Sequence, residues 1–120
     1  RPVSFSAPGF NNNEKILVQL KKFGIEYISD FDKKQSYCGI KNIPITFCGE
    51  NRTPIIEYLV GERKSDEEII EAFKKQISKK KFFSFYMHDL FEARFKINLL
   101  ESIFIELKKA GFKSKRVVDL

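Results

Sequence analysis

The chain is poor in the residues from which most reactive sites are built: one histidine, two cysteines, one methionine and no tryptophan in 120 residues. Cys38 and Cys48 do not form a C-x-x-C pair, and with a single imidazole their spacing assembles no metal site. They read as free thiols of a cytosolic protein, with a mutual disulfide as the alternative. Long apolar runs are missing too. None approaches the roughly 20 residues of a membrane-spanning helix, and no signal-peptide pattern opens the chain. The expected location is therefore cytoplasmic, or peripheral at a membrane surface. No repeat, low-complexity tract or flexible linker interrupts the sequence, whose length suits one domain, 1–120, with a modest core.

What is present in excess is positive charge. The net charge is +6, carried by Lys21-Lys22, Lys33-Lys34, Lys79-Lys80-Lys81 and the Lys113, Lys115, Arg116 group. Most of these cations stand beside acidic residues or at expected helix ends, where they favour the helix dipole. That pattern describes a solvated face. A helix-turn-helix, zinc or RNA-recognition signature is lacking, so nucleic acid is not an expected partner.

Apolar periodicity divides the rest into alternating strands and helices. Residues 3–7 form a short strand candidate that ends at Pro8-Gly9. Asn11-Asn12-Asn13 supply helix N-caps, Ile16, Leu17, Leu20 and Phe23 recur at helical spacing, and Gly24 fits the left-handed stop. Residues 25–29 and 43–47 are β-prone, the second weakened by Pro44. Thr53-Pro54 opens a short helix through Tyr58. Ser65 and Glu68 form a capping box ahead of the stripe Ile69, Ile70, Phe73, Ile77. A strand over residues 82–87, a helix through Ile97, Leu100, Ile103, Phe104 and Leu107 that Gly111 ends, and a last strand over 115–119 complete the order. Such alternation predicts parallel βα units.

The aromatic run Phe82-Phe83-Ser84-Phe85-Tyr86-Met87 delivers the sole histidine, His88, and breaks at once into Asp89-Leu90-Phe91-Glu92. The carboxyl end of a strand is where α/β folds usually place their chemistry, and an imidazole is the usual proton shuttle at neutral pH. A packed structural histidine is the plain alternative. The parallel elements number too few to close a barrel, and the chain, which starts at Arg1 rather than Met, reads as cut through a βα series. It looks like half of a larger domain.

Phe5-Ser6-Ala7-Pro8-Gly9-Phe10, then Asn13, Leu20 to Gly24 and Tyr27-Ile28-Ser29-Asp30-Phe31 resemble the middle of the polysaccharide deacetylase family, the NodB-homology group. Members typically show F-R-A-P-G-[WF], a helix, and a G-x-x-Y-x-S-D strand. The likeness continues at Ile43-Pro44-Ile45-Thr46, at the run from Ser84 to Glu92, and at Lys109-Ala110-Gly111-Phe112 before Val117-Val118-Asp119-Leu120. The H-x-x-x-E spacing of His88 and Glu92 resembles most the branch that removes formyl groups from lipid-linked amino-arabinose. The resemblance implies an α/β fold, the C-terminal half of a (β/α) NodB-type barrel.

It also implies a chemistry. In the family a divalent metal, usually zinc, polarises an N-acyl carbonyl and activates water, with an aspartate as base. The T-F-D-D strand and H-x-x-x-H motif that supply them are not in this sequence, so the implied partner is a missing N-terminal half, and no metal is held by this chain's own residues. By the resemblance, His88 protonates the leaving amine as general acid, and Asp30, with Asp32 as second choice, tunes that imidazole. Phe10 lines the substrate groove, and Glu92 binds a sugar hydroxyl or orders the loop after His88. Each has a plain alternative: a loop or capping carboxylate for Asp30, an exposed capping acid for Glu92, a core anchor for Phe10. Ser6 departs from the family's Arg, which orients the catalytic aspartate by charge-assisted hydrogen bonds, and Arg1 replaces it only if the backbone brings it round. The family's tryptophan is missing as well. Three readings therefore stand: the C-terminal part of a metal-dependent N-deacylase of an amino sugar, polysaccharide or lipid-linked; a non-catalytic binding module of the same fold; and a basic nucleic-acid-binding domain.

Overall fold

A computed structural model describes residues 2–10, 12–31 and 36–119. The chain divides into two compact units: residues up to Ile45 together with those from Lys115 on, and Thr46–Ser114.

The first unit is a small mixed sheet with one helix. Strand β1 (Ser4–Phe5) is followed by helix α1 (Glu14–Lys22), strand β2 (Tyr27–Asp30), strand β3 (Ser36–Tyr37) and strand β4 (Ile40–Pro44). The sheet order is β1-β2-β4-β3. The pairs β1·β2 and β2·β4 are parallel, as the alternation predicts, whereas β3 runs antiparallel to β4. Asn13 caps α1, its side-chain oxygen accepting from the Ile16 amide at 3.0 Å. Gly24 (φ 83°) ends the helix. The amides of Gly24 and Ile25 then donate to the carbonyls of Lys21 and Leu20, the paired closure of a Schellman motif. Leu17 of the helix is buried against Ile25, Ile28 and Ile40, with Phe5, Leu20 and Tyr37 around them. The turn of the β3–β4 hairpin is Cys38-Gly39, both at positive φ (50° and 75°), the twist a two-residue hairpin loop favours.

The second unit is helical: α2 (Ile55–Gly61), α3 (Asp66–Ile77), α4 (Asp89–Phe95) and α5 (Ile97–Lys109). The predicted capping box is present at α3. Ser65 Oγ accepts from the Glu68 amide at 3.3 Å, and Glu68 Oε2 accepts from the Ser65 amide at 2.8 Å. Ile69, Phe73 and Ile77 on α3 recur every four residues, as do Leu99, Ile103 and Leu107 on α5, and the two stripes share one core with Ile55 and Ile56 of α2. Lys96, between α4 and α5, reaches Asp66 at the start of α3 over 2.6 Å. Among the described residues no helix is long and apolar enough to cross a membrane.

Three expected elements differ. Residues 82–87 belong to no ladder. The segment is tied at Ser84 to Thr46 and Phe47: the Thr46 and Phe47 amides both donate to the Ser84 carbonyl, and the Ser84 amide donates to Thr46 Oγ1 at 2.9 Å. Phe83 and Phe85 pack into the helical core, their rings 5.9 and 5.2 Å from that of Phe73, while Phe82 is exposed. The predicted last strand is a short 3-10 helix, Val117–Asp119, closed by Arg116, whose Nε and Nη2 donate to the Asp119 carboxylate. The strand expected at 43–47 starts earlier and stops at Pro44, which cannot donate to a continuing ladder.

The helix ends of the second unit allow a paired test. Helices α2 and α5 close with the same motif, but α2 has Arg63 (φ 60°) where α5 has Gly111 (φ 83°). A left-handed non-glycine residue costs about 1–2 kcal/mol. Arg63→Gly should therefore stabilise the chain by about 0.5–1 kcal/mol, and Gly111→Ala should destabilise it by about 1 kcal/mol, in urea unfolding. A Cβ at Gly111 would meet nothing within 4 Å, so that loss isolates the backbone term.

Candidate functional site

The residues that gather around His88 come from two stretches of the second unit, 48–58 and 84–92. The first begins at Gly49, where a Cβ would stand 2.2 Å from Tyr58 Cγ, so only glycine lets the α2 ring lie against this backbone. The turn that follows carries two left-handed residues in succession, Asn51 (φ 51°) and Arg52 (φ 61°). Thr53 closes it, its hydroxyl donating to the Glu50 carbonyl at 2.7 Å. Pro54 then caps α2 and puts Glu57 in the first helical turn, where the dipole favours a carboxylate.

The second stretch leaves its anchor at Ser84. The Tyr86 hydroxyl donates to the Arg52 carbonyl, and the Tyr86 ring stands edge-on to His88 at 6.0 Å. His88 caps α4 with its backbone, its carbonyl accepting from the amides of Phe91 (2.9 Å) and Glu92 (3.3 Å), while its side chain makes no cap bond. The imidazole instead turns to Glu57, with Nδ1 2.7 Å from Oε1. Glu57 is largely covered, its side chain 24% exposed, whereas that of His88 is 61% exposed. An ionised carboxylate can only accept, which places the proton on Nδ1. Nε2 has no partner among the described residues.

Glu92 lies one turn beyond His88 and is 2% exposed. Neither carboxylate oxygen has a hydrogen-bond partner. Burial pushes its carboxyl above the ordinary glutamate range. The charge of Glu57 adds to this, and the amides of Glu92 and His88 and the His88 ring oppose it. Tyr86 is pushed up by burial and by Cys48 and Glu57. Cys48 is raised by burial against the pull of Arg52 and Lys80, which keeps it a thiol rather than a nucleophilic thiolate. Among the described residues no group of three or more His, Cys, Asp and Glu is placed to hold a metal ion.

Of the residues that the sequence singles out, His88 and Glu92 come together at the start of α4, and Glu92 is buried rather than an exposed capping acid. Asp30 and Phe10 belong to the first unit. Asp30 ends β2, accepting from the Phe31 amide at 2.6 Å and from Asn12 Nδ2 at 2.8 Å. Phe10 (φ 54°) sets its ring edge-on to Phe31, centroids 4.5 Å apart. Asp32 and Arg1 lie outside the described residues. The sequence reading missed Glu57. Its position two residues after the helix-opening Ile55 marks a first-turn acid, but nothing local signals a partner 31 residues away. No family model, curated protein or solved structure matches the chain.

The raised Glu92 carboxyl makes stability depend on pH. Glu92 holds its proton more tightly folded than unfolded, so folding takes up a proton between the ordinary glutamate value of about 4.3 and the raised one. Its contribution is full below that window and is lost as pH rises through it. Glu92→Gln should remove this slope. Glu92→Met should raise stability at neutral pH by about 1–3 kcal/mol, because an unpartnered buried carboxyl is replaced by apolar volume. Urea titrations across the window measure both, and a Glu92→Met chain less stable than the parent would show that the carboxylate is satisfied in solution.

Proposed function

We propose that this chain is the C-terminal part of a metal-dependent hydrolase that removes an N-acyl group, acetyl or formyl, from an amino sugar of a polysaccharide or lipid-linked saccharide. In this reading the first unit, with β1, β2 and β4 parallel, belongs to half of a (β/α) barrel of the NodB type. The observation that carries the catalytic part is the exposed His88 imidazole, fixed through Nδ1 by Glu57 with Nε2 left for a substrate.

Amide hydrolysis fails without a proton donor. When water has added to the acyl carbon, the C–N bond breaks only as nitrogen takes up a proton, since an amide anion is too basic to leave. His88, as imidazolium, gives its Nε2 proton to that nitrogen, and the amine departs as the carbonyl re-forms. Glu57 holds the ring at one angle. Polarisation of the carbonyl and activation of the water fall to a first half carrying the T-F-D-D and H-x-x-x-H motifs.

The test is reconstitution. The chain joined to such a half should release formate or acetate from an N-acyl amino sugar. His88→Ala should lower kcat by about 10²–10⁴, the usual share of general acid catalysis. Glu57→Gln should lower kcat by about tenfold and leave KM unchanged, as expected of a residue that positions the acid. A folded mixture that turns over no such sugar, or one indifferent to His88→Ala, would overturn the reading. The first of these results favours a binding module of the same fold, and salt-dependent affinity for DNA or RNA favours a nucleic-acid partner.

A further inference from the structure

Glu92 is the group in the second unit that packing alone does not explain. It is sealed from solvent, and both its oxygens lack partners. The charged groups that act on it are Glu57 from α2 and His88 at the start of its own helix, and α5, packed against α4, adds none. Its amide, with that of Phe91, hangs on the His88 carbonyl, so the opening turn of α4 and the backbone of His88 move together. His88 offers α4 no side-chain cap because Glu57 has taken the imidazole. This turn is held by those two backbone bonds, by Asp89 Oδ1, which accepts from the Leu90 amide at 2.9 Å, and by the state of Glu92.

We propose that Glu92 is a proton-controlled latch on His88: as a neutral acid it lets the first turn of α4 close with His88 seated on Glu57, and as a carboxylate it opens that turn and withdraws the imidazole. The step is balanced by one proton, lost from the Glu92 carboxyl to water as the turn opens. In the closed state an ionised Glu92 is buried with only the amides of Glu92 and His88 beside it, is repelled by Glu57 and competes with it for His88. In the open state water solvates the carboxylate. Burial sets the range of action, since the closed carboxyl sits above the ordinary glutamate value while the open one returns to it. Between those two values the open population grows about tenfold for each pH unit, and above the higher one it levels off. As control of turnover the latch rests on the hydrolase reading; as a conformational change it does not.

The experiment is amide hydrogen exchange on the full chain across that range, corrected for intrinsic base catalysis. It is read beside the Nδ1–H signal of His88 and the resonance of a ¹³C-labelled Glu92 carboxyl. The α4 amides should open about tenfold more per pH unit and then level, with α3 unchanged, and the Nδ1–H signal should fade as the carboxyl titrates. Glu92→Gln should hold α4 closed at every pH. Glu57→Gln should shrink the rise, because the facing charge is gone. Opening that ignores pH in the parent chain, opening that persists in Glu92→Gln, or a Glu92 carboxyl that titrates with no change in α4 would each overturn the latch. None of these readouts uses turnover, so a chain inert toward every N-acyl sugar still decides the matter. Conversely, a failed latch leaves the His88→Ala comparison intact.

Discussion

The packing of Phe73 is the constraint on which the second unit depends. The residue is fully buried at the centre of α3, and the rings of Phe47, Phe83 and Phe85 meet it at 5.0, 5.9 and 5.2 Å, edge-on in each case. Phe47 comes just before the turn that opens α2, and Phe83 and Phe85 belong to the segment that ends at His88. One side chain thus fixes the approach of the two stretches that carry Glu57 and His88. The Thr46–Ser84 hydrogen bonds set their register, and the aromatic contacts set their depth. The meeting of imidazole and carboxylate at 2.7 Å is a consequence of hydrophobic packing several residues upstream on both stretches.

What was legible in the sequence divides along physical lines. Local signals agree with the structure at Asn13 and Ser65 as caps, at Gly24 and Gly111 as stops, and in the stripe of α3. Each depends on interactions within about one helical turn, which a single sequence records. By contrast, Ile16 and Phe23 of the expected α1 stripe and Ile97 and Phe104 of the expected α5 stripe are exposed, and Leu99 takes a buried place on α5 instead. The segment 82–87 was misread because a dense aromatic run has high β propensity whether it joins a ladder or an aromatic core, and here Phe73 competes successfully for its rings. The β3–β4 hairpin was hidden because its turn uses Cys38, not the Asn or Asp that usually announces such a loop. His88 was found because it is the only residue of its kind. Glu57 was not, since pairings across 31 residues leave no trace in spacing.

Several departures from local rules cluster near His88. Asn51 and Arg52 sit in left-handed backbone, Gly49 admits Tyr58 at a distance no Cβ would allow, and Glu92 is buried without a partner. All lie in the two stretches that meet at His88. Proteins that are otherwise consistent across levels keep such violations chiefly where a site demands them. Left-handed non-glycine residues also occur elsewhere, at Phe10, at Cys38 in the β3–β4 turn and at Arg63, where an ordinary helix stop accounts for the conformation.

The energetic balance of this region argues in the same direction. A contact as exposed as that of His88 with Glu57 contributes about 0–1 kcal/mol, a small gain for ordering two side chains. Against it stand an unpartnered buried carboxyl, costing about 1–3 kcal/mol, and two left-handed non-glycine residues. Stability alone would replace Glu92 with a methionine and place glycine in the 50–52 turn. The arrangement destabilises the unit that contains it, while the core around Phe73 is strong enough to hold it in place. What it secures in exchange is direction: an imidazole with one nitrogen fixed and the other turned outward. That is a requirement of the proton transfer proposed for His88.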